Sequence, residues 1–220
     1  MNKKALILDF GGVMSRTLFE THNLSETALG LPEGSLKWLG PFDPKADILW
    51  QDMQNDKITE RDYWLQRTHE VGTQVGQEWT EIKQLIQATR GANPEAIIRP
   101  EFLHALNILK NNGIKLAILS NELDLFYGTD FRKKLVFLKE FCLILDATYT
   151  EILKPDPRAY IDCVRQLELK AKDCIFVDDQ KRNIIGAQNI GLECVHFNVL
   201  LPKKSYSDTL KLLGLKWSKN

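Results

Sequence analysis

Five short apolar segments, spaced by stretches of helical period, constrain what this chain can fold into more than any other feature. They are "ALILDF" (5–10), "IKLAILS" (114–120), "CLILDA" (142–147), "CIFVDD" (174–179) and "ECVHF" (193–197). Each is short, rich in branched aliphatic or aromatic residues and bounded by polar ones, as strands buried on both faces of a parallel sheet are. Between them, "RPEFLHALNILKNNG" places Pro100 near a first turn, Phe102, Leu103, Leu106 and Leu109 on one face, and Gly113 past the end. "KPDPRAYIDCVRQLEL" and "DQKRNIIGAQNIG" read the same way. Strand and helix alternate, which predicts an α/β fold built on a doubly wound, Rossmann-like parallel sheet.

The region from Ser15 to Pro94 breaks the alternation. "DPKADILWQDMQNDK", "TERDYWLQRTHEV" and "GQEWTEIKQLIQATR" are helical in period, with Thr59 and Asp62 spaced as a capping box. The expected organisation is a core of residues 1–14 and 95–220 with an all-helical cap, 15–94, inserted after the first strand.

Charge and cysteine content exclude several classes. Lys+Arg and Asp+Glu both total 29 in 220 residues, so no global positive field draws in nucleic acid or an anionic membrane. No stretch approaches the ~20 apolar residues of a membrane span. The opening "MNKKALILDFGGV" is too short in its apolar run for a leader, and Asp9 interrupts it. The tail "LKLLGLKWSKN" reads as an amphipathic last helix with a solvated end. Cys142, Cys163, Cys174 and Cys194 lack paired metal spacing and sit in apolar segments, which predicts buried free thiols and a cytoplasmic protein.

In an open parallel sheet, ligands bind beyond the carboxyl ends of the strands. The residues closing these strands are Asp9, then Ser120 with Asn121, then Asp178 with Asp179, and Lys154 joins them from "TEILKPDPRAY". Three close carboxylates repel one another unless a cation or proton neutralises them. An oxygen-only ligand set of this kind suits Mg²⁺, which keeps room for water and phosphate. The "DFG" of residues 9–11 echoes a kinase metal motif, but the lobe that should precede it cannot fit in eight residues.

"LILDFGGV", "LAILSN", "LKPDPRAY" and "IFVDDQKRN" together, in this order, resemble the four motifs of the haloacid dehalogenase superfamily, whose members are mostly Mg²⁺-dependent phosphatases. The resemblance implies that Asp9 attacks phosphorus to form an aspartyl-phosphate. It implies that Ser120 and the backbone amide of Asn121 hold phosphoryl oxygens, and that Lys154 pairs with both nucleophile and phosphate. The metal ligands would be Asp9, the backbone carbonyl of Gly11, Asp179, and Asp178 directly or through water. Asn183, one turn further on, would orient Lys154 or Asp178. The motif set, with "GGV" and a compact helical cap, is also similar to the phosphatase-like domain joined to some epoxide hydrolases and to small sugar-phosphate phosphatases.

One position departs from the family. Its phosphatases usually carry a second aspartate two residues after the nucleophile, as general acid and base, and here that position is Gly11. Losing such a group typically costs ~10²–10⁴ in rate. Four readings stay open: a phosphatase of small phosphorylated metabolites whose leaving group needs little protonation, a carbon–halogen hydrolase, a carbon–phosphorus hydrolase using Lys37 of the cap, and a non-catalytic phosphate-binding or protein-interaction member. The family's dehalogenases need no metal and differ at the acidic pair, where this chain has Asp178 and Asp179. Arg16, just past the first motif, is the expected substrate contact. Trp50 and Trp64 are weaker candidates that also suit core packing, and His104 and His196 read as structural.

Overall fold

The computed structural model describes residues 3–91, 93–121 and 123–218, with the backbone alone at Thr129. Among the described residues, five strands form one parallel sheet: β1 (Ala5–Leu8), β2 (Lys115–Ser120), β3 (Leu143–Asp146), β4 (Cys174–Asp178) and β5 (Glu193–His196). Their order is β3-β2-β1-β4-β5. From β1 the chain winds outward to β2 and β3 on one side, and later to β4 and β5 on the other. The winding therefore reverses at β1, and the carboxyl ends of β1 and β4 border the crevice in which such sheets bind ligands.

The helices, in chain order, are α1 (His22–Leu29), α2 (Ile48–Gln54), α3 (Glu60–Gln74), α4 (Ile82–Arg90), α5 (Pro100–Asn111), α6 (Leu123–Tyr127), α7 (Thr129–Lys133), α8 (Ala147–Thr150), α9 (Pro157–Gln166), α10 (Lys181–Asn189) and α11 (Pro202–Leu212). The chain divides into two compact units. The first comprises Met1–Arg16, Ile98–Asp124 and Lys133–Asn220, and the second Thr17–Ile97 with Leu125–Arg132. The segment 125–132, which the sequence reading leaves in the core, thus belongs with the helical unit.

In the sheet unit every residue of β1 is buried, as a central parallel strand requires. Ala5 and Ile7 join Ala117, Leu119 and Phe176 against Tyr160 and Cys163 of α9 and Ile184 and Ala187 of α10. The last helix ends at Leu212, before most of the tail read as helical; Gly214, at φ +74°, follows its cap.

In the helical unit, Phe19 is the hub of an aromatic cluster, with ring centroids 5.5 Å from Trp38, 5.2 Å from Trp50 and 5.4 Å from Trp64. Trp50 and Trp64, both half-buried, therefore pack against this unit's core. Asp47 is buried there and accepts from Trp50 N–H at the start of α2, from Tyr63 Oη at 2.9 Å and from Arg67 Nη2 at 2.7 Å. Arg90 donates to Thr21 Oγ1 at 3.1 Å and to Tyr127 Oη at 2.9 Å, which ties 125–132 to this unit. The capping box forms as read: Asp62 N–H donates to Thr59 Oγ1, and Thr59 N–H donates to Asp62 Oδ2. Lys37 is exposed. Among the described residues no helix is long and apolar enough to cross a membrane.

Candidate active site

Asp9 follows β1 directly, and its N–H donates to the carbonyl of Val177 at 2.9 Å, which places it between β2 and β4 at the strand ends. The chain then turns sharply, and Ser15 N–H returns to the carbonyl of Phe10 at 3.0 Å. The two glycines in this turn differ in kind. Gly12 has φ +73°, a left-handed conformation that favours glycine, and a Cβ there would come within 2.4 Å of Asp179 Oδ2. Gly11 has φ −68° and ψ 132°, open to any residue, and a Cβ there would meet only Asp9 Oδ2, at 3.7 Å. Glycine at 12 is demanded by backbone and space; glycine at 11 is not.

Lys154 lies at the centre of the site. Its Nζ donates to Asp9 Oδ1 and to Asp178 Oδ2, each at 2.7 Å. The lysine is 4% exposed and Asp178 is 0% exposed. Burial alone would lower the lysine's pKa, but the charges of Asp178 and then Asp9 outweigh it and hold the ammonium above the ordinary lysine value. Asp178 is fully engaged: Oδ1 accepts from Gln180 N–H at 2.8 Å, and Asn183 Nδ2 donates to both oxygens, at 3.1 and 3.0 Å. Asn183 thus orients Asp178.

Ser120 closes β2 in register with Asp146 of β3 and is buried. Asn121 reaches the backbone of Lys154: its Oδ1 accepts from Lys154 N–H at 2.7 Å, and its Nδ2 donates to the Lys154 carbonyl at 3.1 Å. Asp9, Lys154, Asp178 and Asn183 are therefore in direct contact. Asn121 joins through the lysine backbone and Asp179 through Gly12. Arg16 is half-buried at the end of the first segment of the sheet unit.

The donors present fit Mg²⁺. Asp9, Asp179 packed on Gly12, and the Gly11 carbonyl would each offer oxygen donors, and Mg²⁺ takes only one or two protein carboxylates and keeps several waters. Among the described residues no three His, Cys, Asp or Glu side chains form a ready cage, and this ion does not require one.

The sequence profile of haloacid dehalogenase-like hydrolases matches residues 3–191. The chain belongs to that family. A sesquiterpene phosphatase of Aspergillus oryzae is 29% identical over 199 residues, 88% of this chain and 89% of that one. Phosphoglycolate phosphatase 1 of Pseudomonas aeruginosa is 24% identical over 122 residues, 54% of this chain and 44% of that one. A dehalogenase structure shares the fold with a TM-score of 0.62 at 21% identity, covering 89% of this chain and 85% of that one. The magnesium-bound HAD-hydrolase YfnB of Bacillus subtilis gives 0.64 at 17% identity, covering 88% and 86%. The chain is a hydrolase of the haloacid dehalogenase-like family.

Supports that the sequence reading missed lie behind this hydrolase's motifs. Arg99, buried just before α5, donates from Nε to the Gly12 carbonyl at 3.0 Å, and Tyr206 Oη donates to the Val13 carbonyl at 3.0 Å. Asp146 accepts from the backbone N–H groups of Leu123, Asp124 and Thr148. It had a visible signal, a carboxylate closing an apolar strand. His196, read as structural, donates from Nε2 to the Asp179 carbonyl at 2.9 Å. His104 packs on Trp217 at 4.4 Å.

Proposed function

We propose that this enzyme is an Mg²⁺-dependent phosphatase of small phosphorylated metabolites that works through an aspartyl-phosphate on Asp9. The observation that carries the reading is the Lys154 ammonium set 2.7 Å from both Asp9 and Asp178. Lys154 holds Oδ1 of Asp9, and the other oxygen, Oδ2, lies 3.7 Å from where a Cβ of residue 11 would stand. That second oxygen attacks phosphorus, and the P–O bond to the leaving group breaks with its electron pair on the leaving oxygen. Lys154 offsets charge on nucleophile and phosphoryl group, while the Ser120 hydroxyl and Asn121 backbone N–H donate to phosphoryl oxygens. Arg16 contacts the substrate. Mg²⁺ would be held by Asp9, Asp179 and the Gly11 carbonyl, with Asp178 assisting through water, and would supply Lewis-acid neutralisation of phosphoryl charge. The phosphatases named among the relatives, and the magnesium in YfnB, support this reading.

Gly11 offers no proton to the leaving oxygen, so substrates with weakly basic leaving groups are favoured, such as anomeric sugar, acyl or aryl phosphates. A carbon–halogen substrate would gain nothing from the acidic pair. The balanced charge and free thiols support action in the cytoplasm on small molecules rather than on nucleic acid or membrane. The test is Mg²⁺-dependent phosphate release from an aryl and an alkyl phosphate, with Asp9→Asn as the blank. Turnover of the aryl ester with little of the alkyl ester is expected. No release above the blank from either would overturn the reading.

A further inference from the structure

In the proposed phosphatase Asn121 acts only through its backbone N–H, and its side chain is committed elsewhere. Its amide meets both polar groups of one backbone residue, accepting from Lys154 N–H at 2.7 Å and donating to Lys154 C=O at 3.1 Å. A planar primary amide bonded twice to one residue fixes that residue's orientation as well as its place. Asn121 lies two residues before the first residue of α6. Here Asp146 serves the first amides of that helix from the neighbouring strand, at 3.1 Å for Leu123 and 2.8 Å for Asp124.

The next residue along is held by packing. A Cβ on Gly186 of α10 would lie 2.7 Å from the Pro155 carbonyl oxygen and 2.8 Å from Pro155 Cβ. Glycine at 186 therefore lets α10 and the lysine loop approach. The same helix carries Asn183, which holds Asp178.

We propose that Asn121 is the positioning residue of Lys154: its side-chain amide locks the lysine backbone so that Nζ bridges Asp9 and Asp178, with Gly186 giving the loop room to reach that place. The kinetic consequence rests on the phosphatase reading; the positioning itself does not.

The test compares wild type, Asn121→Ala and Asn121→Asp by two measurements. The first is acetylation of the Lys154 amine at one fixed pH, read by peptide mass beside Lys115, whose Nζ donates to the Leu167 carbonyl in the same unit. In Asn121→Ala, acetylation of Lys154 rises several-fold while that of Lys115 stays level. The second is turnover of an aryl phosphate: kcat falls ~10–100-fold, the scale of a misplaced catalytic group, and KM changes less. Asn121→Asp keeps the acceptor for Lys154 N–H, loses the donor, and falls between on both measurements.

Lys154 as protected in Asn121→Ala as in wild type overturns the proposal, whatever kcat does. If Lys115 rises in step with Lys154 in that variant, Asn121→Asp decides: more acetylation of Lys154 than in wild type supports the proposal, and equal acetylation overturns it. Absence of phosphate release by wild type would overturn the phosphatase reading and leave the acetylation result standing.

Discussion

Gly12 lies against the carboxylate of Asp179 so closely that a Cβ on residue 12 would come within 2.4 Å of Oδ2. The first and fourth motifs are thereby pressed together, and the contact exists only because residue 12 has no side chain and a φ of +73°. Gly12→Ala should cost at least about 1–2 kcal/mol from the left-handed backbone alone. It should also displace Asp179 and reduce phosphate release. The denaturation midpoint and the Mg²⁺ concentration for half-maximal activity check both parts; an alanine variant with wild-type values of each would refute the contact.

Gly11→Asp should behave in the opposite way. The backbone at 11 is ordinary, and the nearest atom to a new Cβ is Asp9 Oδ2 at 3.7 Å. The variant should fold, and turnover of an alkyl phosphate should rise ~10²-fold as a proton donor is supplied. The aryl phosphate should gain much less, since its leaving group needs little help. Parallel rates on the two esters with this variant and wild type measure the gain; equal change on both would mean that residue 11 does not face the leaving group.

Lys154→Met should cost about 3–5 kcal/mol, because it leaves two buried carboxylates without their cation. The lysine's pKa is raised in the folded state, so its contribution is fully present below the unfolded value of about 10.4 and is lost only as pH rises through the higher folded value. The stability difference between variant and wild type should therefore be flat across neutral and mildly alkaline pH. Denaturant titrations at several pH values give that difference; a gap that closes as pH rises from neutral towards about 10 would contradict the ion pair.

Thiol chemistry separates the four cysteines. Cys142 is exposed, against the sequence expectation of burial, while Cys163 and Cys174 are buried and Cys194 is half-buried. Cys142 alone should react rapidly with a thiol reagent in the native protein. Burial, and then Asp173, push the Cys174 thiol up to about 11. An unfolded thiol ionises near 8.5, so the unfolded chain sheds this proton first and stability falls as pH rises above that value. Cys174→Ala should show a shallower decline between about pH 8 and about pH 9.5; an unchanged slope would count against the shift.

Most of the sheet was legible because a buried parallel strand carries its signal in a few consecutive residues. Each of the five apolar runs contains an observed strand, from Ala5–Leu8 to Glu193–His196. The pairing of Lys154 with Asp9 was implied by the family motifs, but its bridge to Asp178 was not. What stayed hidden depends on tertiary partners. Arg99 reads as an ordinary residue before Pro100 until the Gly12 carbonyl is seen beneath it. Tyr127 reads as part of the core until Arg90 is found donating to it within the helical unit. The tail offered apolar periodicity past Leu212, but Gly214 lies just past the cap at positive φ.

The most direct measurement is acid quenching during turnover of an aryl phosphate with Mg²⁺, followed by peptide mass analysis of the protein. A phosphoryl group on Asp9 in wild type, absent in Asp9→Asn, is the expected result. Aryl alcohol released at a steady rate by wild type, with no phosphoryl group on Asp9 at any quench time and the same rate in Asp9→Asn, would show that Asp9 is not the nucleophile.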